Sequence, residues 1–148
     1  MTSIPFRIPP FVLSALVSLP LMISAGSARA DGALAVGLPE EGAQEGFAYG
    51  FATGYGAGEA ERRAVAQCRK SRGSASRDVR DLCRVVETFS SGCVAMAMDP
   101  KNGTPGVGWG LGPDRVTAER RAITACHETA GEGRRLSCKI DAWSCEEN

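Results

Sequence analysis

Ala60-Glu61-Arg62-Arg63-Ala64-Val65-Ala66-Gln67-Cys68 returns later in the chain as Ala118-Glu119-Arg120-Arg121-Ala122-Ile123-Thr124-Ala125-Cys126. Within each stretch Ala, Ala and Cys recur every fourth residue, the spacing that puts them on one face of a helix. Small residues along that face let a neighbour come close. The neighbour is legible just upstream. Gly46-Phe47-Ala48-Tyr49-Gly50-Phe51 and Gly106-Val107-Gly108-Trp109-Gly110-Leu111 alternate large and small with period two, as strands do. Each such strand has one bulky face and one nearly bare backbone face, and the bare face suits the small-residue stripe of the helix.

The repeat extends outward from there. Ala33-Leu34-Ala35-Val36 matches Ala95-Met96-Ala97-Met98, Leu82-Cys83-Arg84-Val85 matches Ser137-Cys138-Lys139-Ile140, and Cys93 is aligned with Cys145. Polar loops follow each helix (71–80 and 130–136), and β-branched strands follow the loops (83–89 and 138–143). Thr117 is the expected N-cap of the second helix, and Glu59 and Arg63 are placed for an (i, i+4) ion pair. Each unit therefore reads β-β-α-β. The expectation is an α+β domain with pseudo-two-fold symmetry, antiparallel sheets, two helices and disulfide staples. Its halves fall at about 32–92 and 93–146 of a single 31–148 domain.

Residues 1–30 stand apart. Arg7 precedes a fourteen-residue apolar run, Phe11–Ser24, and Ala28-Arg29-Ala30 supplies the small residues a signal peptidase reads. The run is short of the ~20 residues a spanning helix needs. A signal peptide cleaved before Asp31 is expected, giving an exported protein, periplasmic or extracellular, with no membrane insertion after cleavage. Lys+Arg and Asp+Glu number 17 each. With Arg7 and Arg29 removed, fifteen cations face seventeen acids, a net charge of −2. That balance argues against nucleic acid and supplies no polybasic membrane patch.

All six cysteines lie after residue 30. In an oxidising compartment an even count reads as three disulfides. There is no C-x-x-C pair, and the one histidine, His127, adjoins Cys126, so no zinc pattern or metal site is expected. Six cysteines allow fifteen connectivities. Pairs seven or ten apart on one extended run cannot bridge, which disfavours Cys138–Cys145 and Cys83–Cys93. The expected set is Cys68–Cys83 and Cys126–Cys138, helix to following strand, with Cys93–Cys145 joining the units across the pseudo-two-fold.

The candidate chemistry is sparse. His127 and Cys126 point about 100° apart on a helix, which does not make a nucleophile–base pair. The glycine runs 54–58 and 108–112 complete neither a dinucleotide nor a phosphate-loop motif, so no cofactor is expected. Glu61 and Glu119, at equivalent places, are the one candidate carboxylate pair for cleaving envelope polymers. Asp99 opens the turn Asp99-Pro100-Lys101-Asn102-Gly103, and turn formation is its expected role. The bulky faces (Phe47, Tyr49, Phe51; Val107, Trp109, Leu111) are expected to meet in a shared core. Any of them left exposed would form a binding surface of Tyr49 and Trp109 rimmed by Tyr55 and Trp143.

The alternating strand Ala95-Met96-Ala97-Met98-Asp99-Pro100, the strand Gly106-Val107-Gly108-Trp109-Gly110, the helix Ala118-Glu119 through Cys126 and the segment Cys83-Arg84-Val85-Val86 through Cys93 resemble a bacterial family. It is domain-of-unknown-function family 4189. The resemblance covers nearly all of 32–145 as two copies of the unit. It implies a small exported bacterial protein and carries no catalytic residues to transfer. The first copy departs from the pattern with Tyr49 in place of Trp, and with Gly37-Leu38-Pro39 where Asp-Pro would stand. The functional expectation is a non-catalytic interaction module, inhibitor-like or envelope-associated, with a protein or envelope component as partner. The alternative is a small carboxylate-dependent hydrolase.

Overall fold

The computed structural model describes residues 31–71 and 75–146; the leader expected at 1–30 lies outside them. The first half runs β1 (Asp31–Gly37), β2 (Ala48–Tyr55), α1 (Ala57–Lys70), α2 (Arg77–Asp81) and β3 (Arg84–Phe89). The second half runs β4 (Gly92–Met98), β5 (Val107–Gly112), α3 (Arg115–Ala130) and β6 (Lys139–Glu146), with a 3₁₀ segment at Glu132–Ser137 before β6.

Each half makes its own three-stranded antiparallel sheet with the first strand in the middle: β2-β1-β3 and β5-β4-β6. The helix carries the chain from one edge of its sheet to the other, a split β-α-β crossover. The duplication reaches fine detail. One residue bulges out of register between Leu34 and Ala35 on β1/β3, where Val86 is extra, and likewise between Met96 and Ala97 on β4/β6, where Asp141 is extra.

Side-chain size sorts the layers. Ala33, Ala35, Ala48 and Ala52 of the first sheet pack on Ala60, Ala64 and Cys68 of α1. Ala95 and Ala97 of the second sheet pack on Ala118, Ala122 and Cys126 of α3. The opposite faces are bulky. Leu34, Val36 and Phe47 meet Val94, Met96 and Val107 between the sheets, with Tyr49, Phe51, Trp109 and Leu111 partly buried around them. The result is four layers, helix–sheet–sheet–helix, with the large residues in the central layer.

The helix–sheet contacts leave no space for a side chain on the strand. A Cβ at Gly110 would lie 2.7 Å from the amide nitrogen of Ala122, and one at Gly112 would lie 2.6 Å from that of Ala118. A Cβ at Gly108 would lie 2.6 Å from the carbonyl carbon of Ala125 and would overlap the amide nitrogen of Cys126. At Gly50 it would strike the equivalent groups of α1, the Ala64 carbonyl and the Cys68 amide. Gly50 is thus the counterpart of Gly108. The strand pairings agree, since Tyr49 lies opposite Val36 and Val107 opposite Met98. The alignment read from the alternating pattern is therefore two residues out of step: Phe51, not Tyr49, is the counterpart of Trp109. Both strands alternate with period two, so a shift of two preserves the pattern and only the helix contacts fix the true register.

Three further expectations are corrected. α3 is capped by Asp114, whose Oδ1 accepts from the Thr117 amide at 2.9 Å, because the helix begins two residues before Thr117. The segments expected as loops hold helical turns: α2, capped by Ser76, and the 3₁₀ segment at its equivalent place. The disulfides are Cys68–Cys83, Cys126–Cys138 and Cys93–Cys145, and the last does not cross the pseudo-two-fold. Cys93 and Cys145 face each other on neighbouring strands of the second sheet, Cα–Cα 4.0 Å. The chain passes from one sheet to the other at Ser90–Ser91, with Gly92 at φ +88°, so Cys93 opens the second unit, where the division at 92/93 puts it, and is not the counterpart of Cys145. The residue equivalent to Cys145 is Ser90, and that equivalent to Cys93 is Asp31.

Gly108→Ala forces helix α3 off its sheet and is expected to cost at least ~3 kcal/mol, lowering Tm by about 10 °C. Gly133→Ala, in open space, is the matched control and leaves Tm within about 2 °C. Thermal unfolding followed by circular dichroism checks both; an unchanged Tm for Gly108→Ala would refute the close-approach account.

Candidate functional site

Asp99 is the most constrained charged residue among those described. The end of β4 carries it inward, and its side chain is fully buried. Arg134, from the 3₁₀ segment, meets it with both prongs of the guanidinium: Nε donates to Oδ2, and Nη2 to Oδ1 at 2.7 Å. Oδ1 also accepts the Lys101 amide at 3.0 Å, which sets the turn. Asp99 therefore forms the turn, as the Asp99–Gly103 sequence suggests, and also clamps a segment thirty-five residues away. Sequence reasoning missed Arg134, one of several arginines in a polar loop with no periodicity to single it out. The hydrogen bonds from Arg134 lead in holding the Asp99 carboxyl at about 2, well below the usual carboxylate range. The adjoining hollow, about 20 Å³, has room for about one water. Asp99 is thus a structural clamp. At the equivalent place in the first unit stands Gly37, close against the Val79 carbonyl.

Other polar groups bridge the two sheets. The Tyr49 hydroxyl donates to Asp141, the Gly54 amide to Glu146 Oε2 at 2.7 Å, and Thr53 and Ser144 share a hydrogen bond of 3.1 Å. These tie the β2 edge to β6. On the opposite edge Trp109 Nε1 reaches Glu87 on β3 at 3.4 Å. Burial, then the bond to Asp141, pushes the Tyr49 hydroxyl pKa well above its ordinary value.

The four aromatic residues that would form a binding surface if left exposed are divided by the layers. Tyr49 and Trp109 are partly buried between the sheets. Tyr55 lies on the α1 side beneath the Arg63 guanidinium, 4.2 Å from its ring centroid, and Arg63 pairs with Glu59 at 2.7 Å. Trp143 lies on the α3 side beneath Arg115, 4.1 Å from its ring. Glu61 and Glu119 ride on α1 and α3, the two outer layers. The gap between sheets alone is ~10 Å, beyond the ~5–9.5 Å of paired catalytic carboxyls, so these two cannot act on one glycosidic bond. All six cysteines are oxidised, which removes a thiol partner for His127. Among the described residues no three His, Cys, Asp or Glu side chains cluster as a metal site, and no helix is long and apolar enough to cross a membrane.

A groove of about 310 Å³ opens at the end of the first unit, lined by Asp31, Gly32, Glu61, Thr88, Phe89 and Ser90, and shallower hollows of about 370 and 460 Å³ lie along α1 beside Arg62 and Arg69 and beside Lys70 and Arg80. The groove's size falls at the lower end of small-ligand sites. Glu61 is exposed and makes no ion pair among the described residues.

The low carboxyl pKa of Asp99 has a signed consequence. The pair stabilises the fold above pH ~4, the unfolded value, and its contribution fades as pH falls toward 2. Arg134→Met is expected to destabilise the protein at pH 7, with the gap from wild type shrinking by pH 2.5. Urea midpoints at the two pH values check this; a gap independent of pH would rule out the charge pairing.

Comparison with curated proteins and with solved structures returns no match. The one family-model match runs across both halves of the chain. Over residues 32–145 the chain matches the model described as a domain of unknown function, DUF4189, and it belongs to that family.

Proposed function

We propose that this protein is an exported, non-catalytic binding module whose contact site is the groove between Asp31, Glu61 and Ser90, and that its two halves descend from one duplicated unit. One observation carries the binding reading: the groups equipped for chemistry are committed to the frame. The thiols are in disulfides, Asp99 is clamped by Arg134, Asp141 and Glu146 bridge the sheets, and Glu61 and Glu119 stand on opposite outer layers. Glu61, on the wall of the groove, makes no ion pair among the described residues. Export is supported by the three disulfides, which persist in oxidising compartments, and by the order of charge, apolar run and small residues before Asp31. The partner is a protein or other component of the envelope, met where the first unit opens.

Two measurements test the reading. The mass of the exported protein, alkylated before reduction, is expected to start at Asp31, carry no label and lack six hydrogens; labelled cysteines overturn the disulfide-framed module. A photo-crosslinking residue at Ser90 is expected to capture one envelope partner, while the same probe at exposed Leu136, on the other unit, captures none. Equal capture at both positions, or none at either, removes the groove as the contact site. Release of soluble fragments from purified cell wall by the pure protein would show an enzyme instead.

A further inference from the structure

The second unit shows what chemistry its own version of the groove accepts. The strand pairings make Cys93, Val94, Trp143, Ser144 and Cys145 the counterparts of Asp31, Gly32, Thr88, Phe89 and Ser90. The helix repeat makes Glu119 the counterpart of Glu61, and Arg115 that of Ala57. In the second unit this corner is filled from within. The Cys93–Cys145 disulfide closes its end, the Trp143 ring covers it, and Arg115 lies across that ring while its Nε donates to Glu119 Oε1 at 2.6 Å. A carboxylate, a guanidinium and an aromatic face thus form one stack.

At this corner the first unit keeps the carboxylate and lacks the rest; its own stack, Arg63 on Tyr55 with Glu59, stands at the opposite, β2 edge of the sheet. Thr88 replaces the tryptophan, Ala57 replaces the arginine, Asp31 and Ser90 replace the disulfide, and a groove of about 310 Å³ stands open. In the exported protein Asp31 adds a second carboxylate, with the α-ammonium of the new N-terminus, where its counterpart is a cysteine. The cations nearest in sequence do not pair with Glu61: Arg62 and Arg69 line with it a neighbouring hollow but form no ion pair with it among the described residues, and Arg63 is held by Glu59 and Tyr55.

Resting on the binding reading above, we propose that this groove takes an arginine side chain next to an aromatic ring, presented by a partner polypeptide. The guanidinium pairs with Glu61 and the ring occupies the space above Thr88, the counterpart of Trp143. The partner then completes in the first unit the stack that the second unit builds from its own residues. Both halves of the ligand are needed: the guanidinium because it matches a carboxylate bidentately and lies flat on a ring, the ring because the open space corresponds to a tryptophan.

The test uses the exported protein and two capped dipeptides, acetyl-arginyl-tryptophan amide and its citrulline analogue, which keeps the shape and loses the charge. In amide NMR titrations the arginine peptide is expected to shift Gly32, Thr88 and Ser90 saturably. Affinity should fall about five-fold, the worth of a partly exposed ion pair, for the citrulline peptide and for Glu61→Gln. Thr88→Trp, which supplies the ring internally, should abolish the shifts while leaving the protein folded by its amide spectrum. Equal binding of the two peptides, unchanged binding by Glu61→Gln, or no shift at these residues overturns the proposal. If Ser90 still crosslinks a partner while the peptides fail to bind, the cation–aromatic chemistry falls and the docking groove stands.

Discussion

The fold depends on one contact made twice: a strand stripped to its backbone against a helix stripped to alanine and cysteine. Gly50 with Ala64 and Cys68, and Gly108, Gly110 and Gly112 with α3, bring main chain against main chain. That closeness leaves little apolar area in the outer layers, since Ala and Gly bury few carbons each. Two compensations follow. The large side chains are concentrated between the sheets, where Leu34, Met96 and Val94 are fully buried. The helix-to-strand disulfides then pin each helix to the strand after it, and closing loops of 15 and 12 residues restricts the unfolded chain by about 3 kcal/mol each. Cys68 and Cys126 are members of the very stripe that makes the close approach, so the staple sits at the tightest point.

The architecture was legible because its determinants are periodic. Small residues every fourth position and large ones every second position state which face meets which, and the repeat says that the solution is used twice. The exact correspondence between copies was less legible, because a period-two pattern looks the same after a shift of two. Placement of Cys93 failed for a related reason. Matching the copies made it the counterpart of Cys145 although the halves divide just before it, whereas the turn at Ser90–Ser91 makes it the first strand residue of the second and the neighbour of Cys145. The Asp99–Arg134 pair left no local trace at all, since its members are brought together by the fold and not by spacing. The aromatic residues expected to share a surface were separable only once the four layers were known, because sequence gives the face of a strand but not what covers it.

The two units share topology, bulge position and helix contact, yet they are finished differently. At one end the second unit has the Asp99–Arg134 clamp where the first has Gly37 against the Val79 backbone. At the other it has a cross-strand disulfide, Trp143 and Arg115, where the first has Asp31, Ser90, Thr88 and space. Each difference adds a constraint to the second unit that the first lacks. Because the sheets pack face to face and Asp141, Ser144 and Glu146 of β6 bond back to Tyr49, Thr53 and Gly54 of β2, rigidity built into the second unit is transmitted to the first. The groove lies at the other, β3 edge of the first unit, so these bonds brace its sheet without touching the groove walls. On the proposed reading, the unequal finishing of two like units separates the two demands on a small binding domain, a surface left incomplete for a partner and a frame complete enough to hold it.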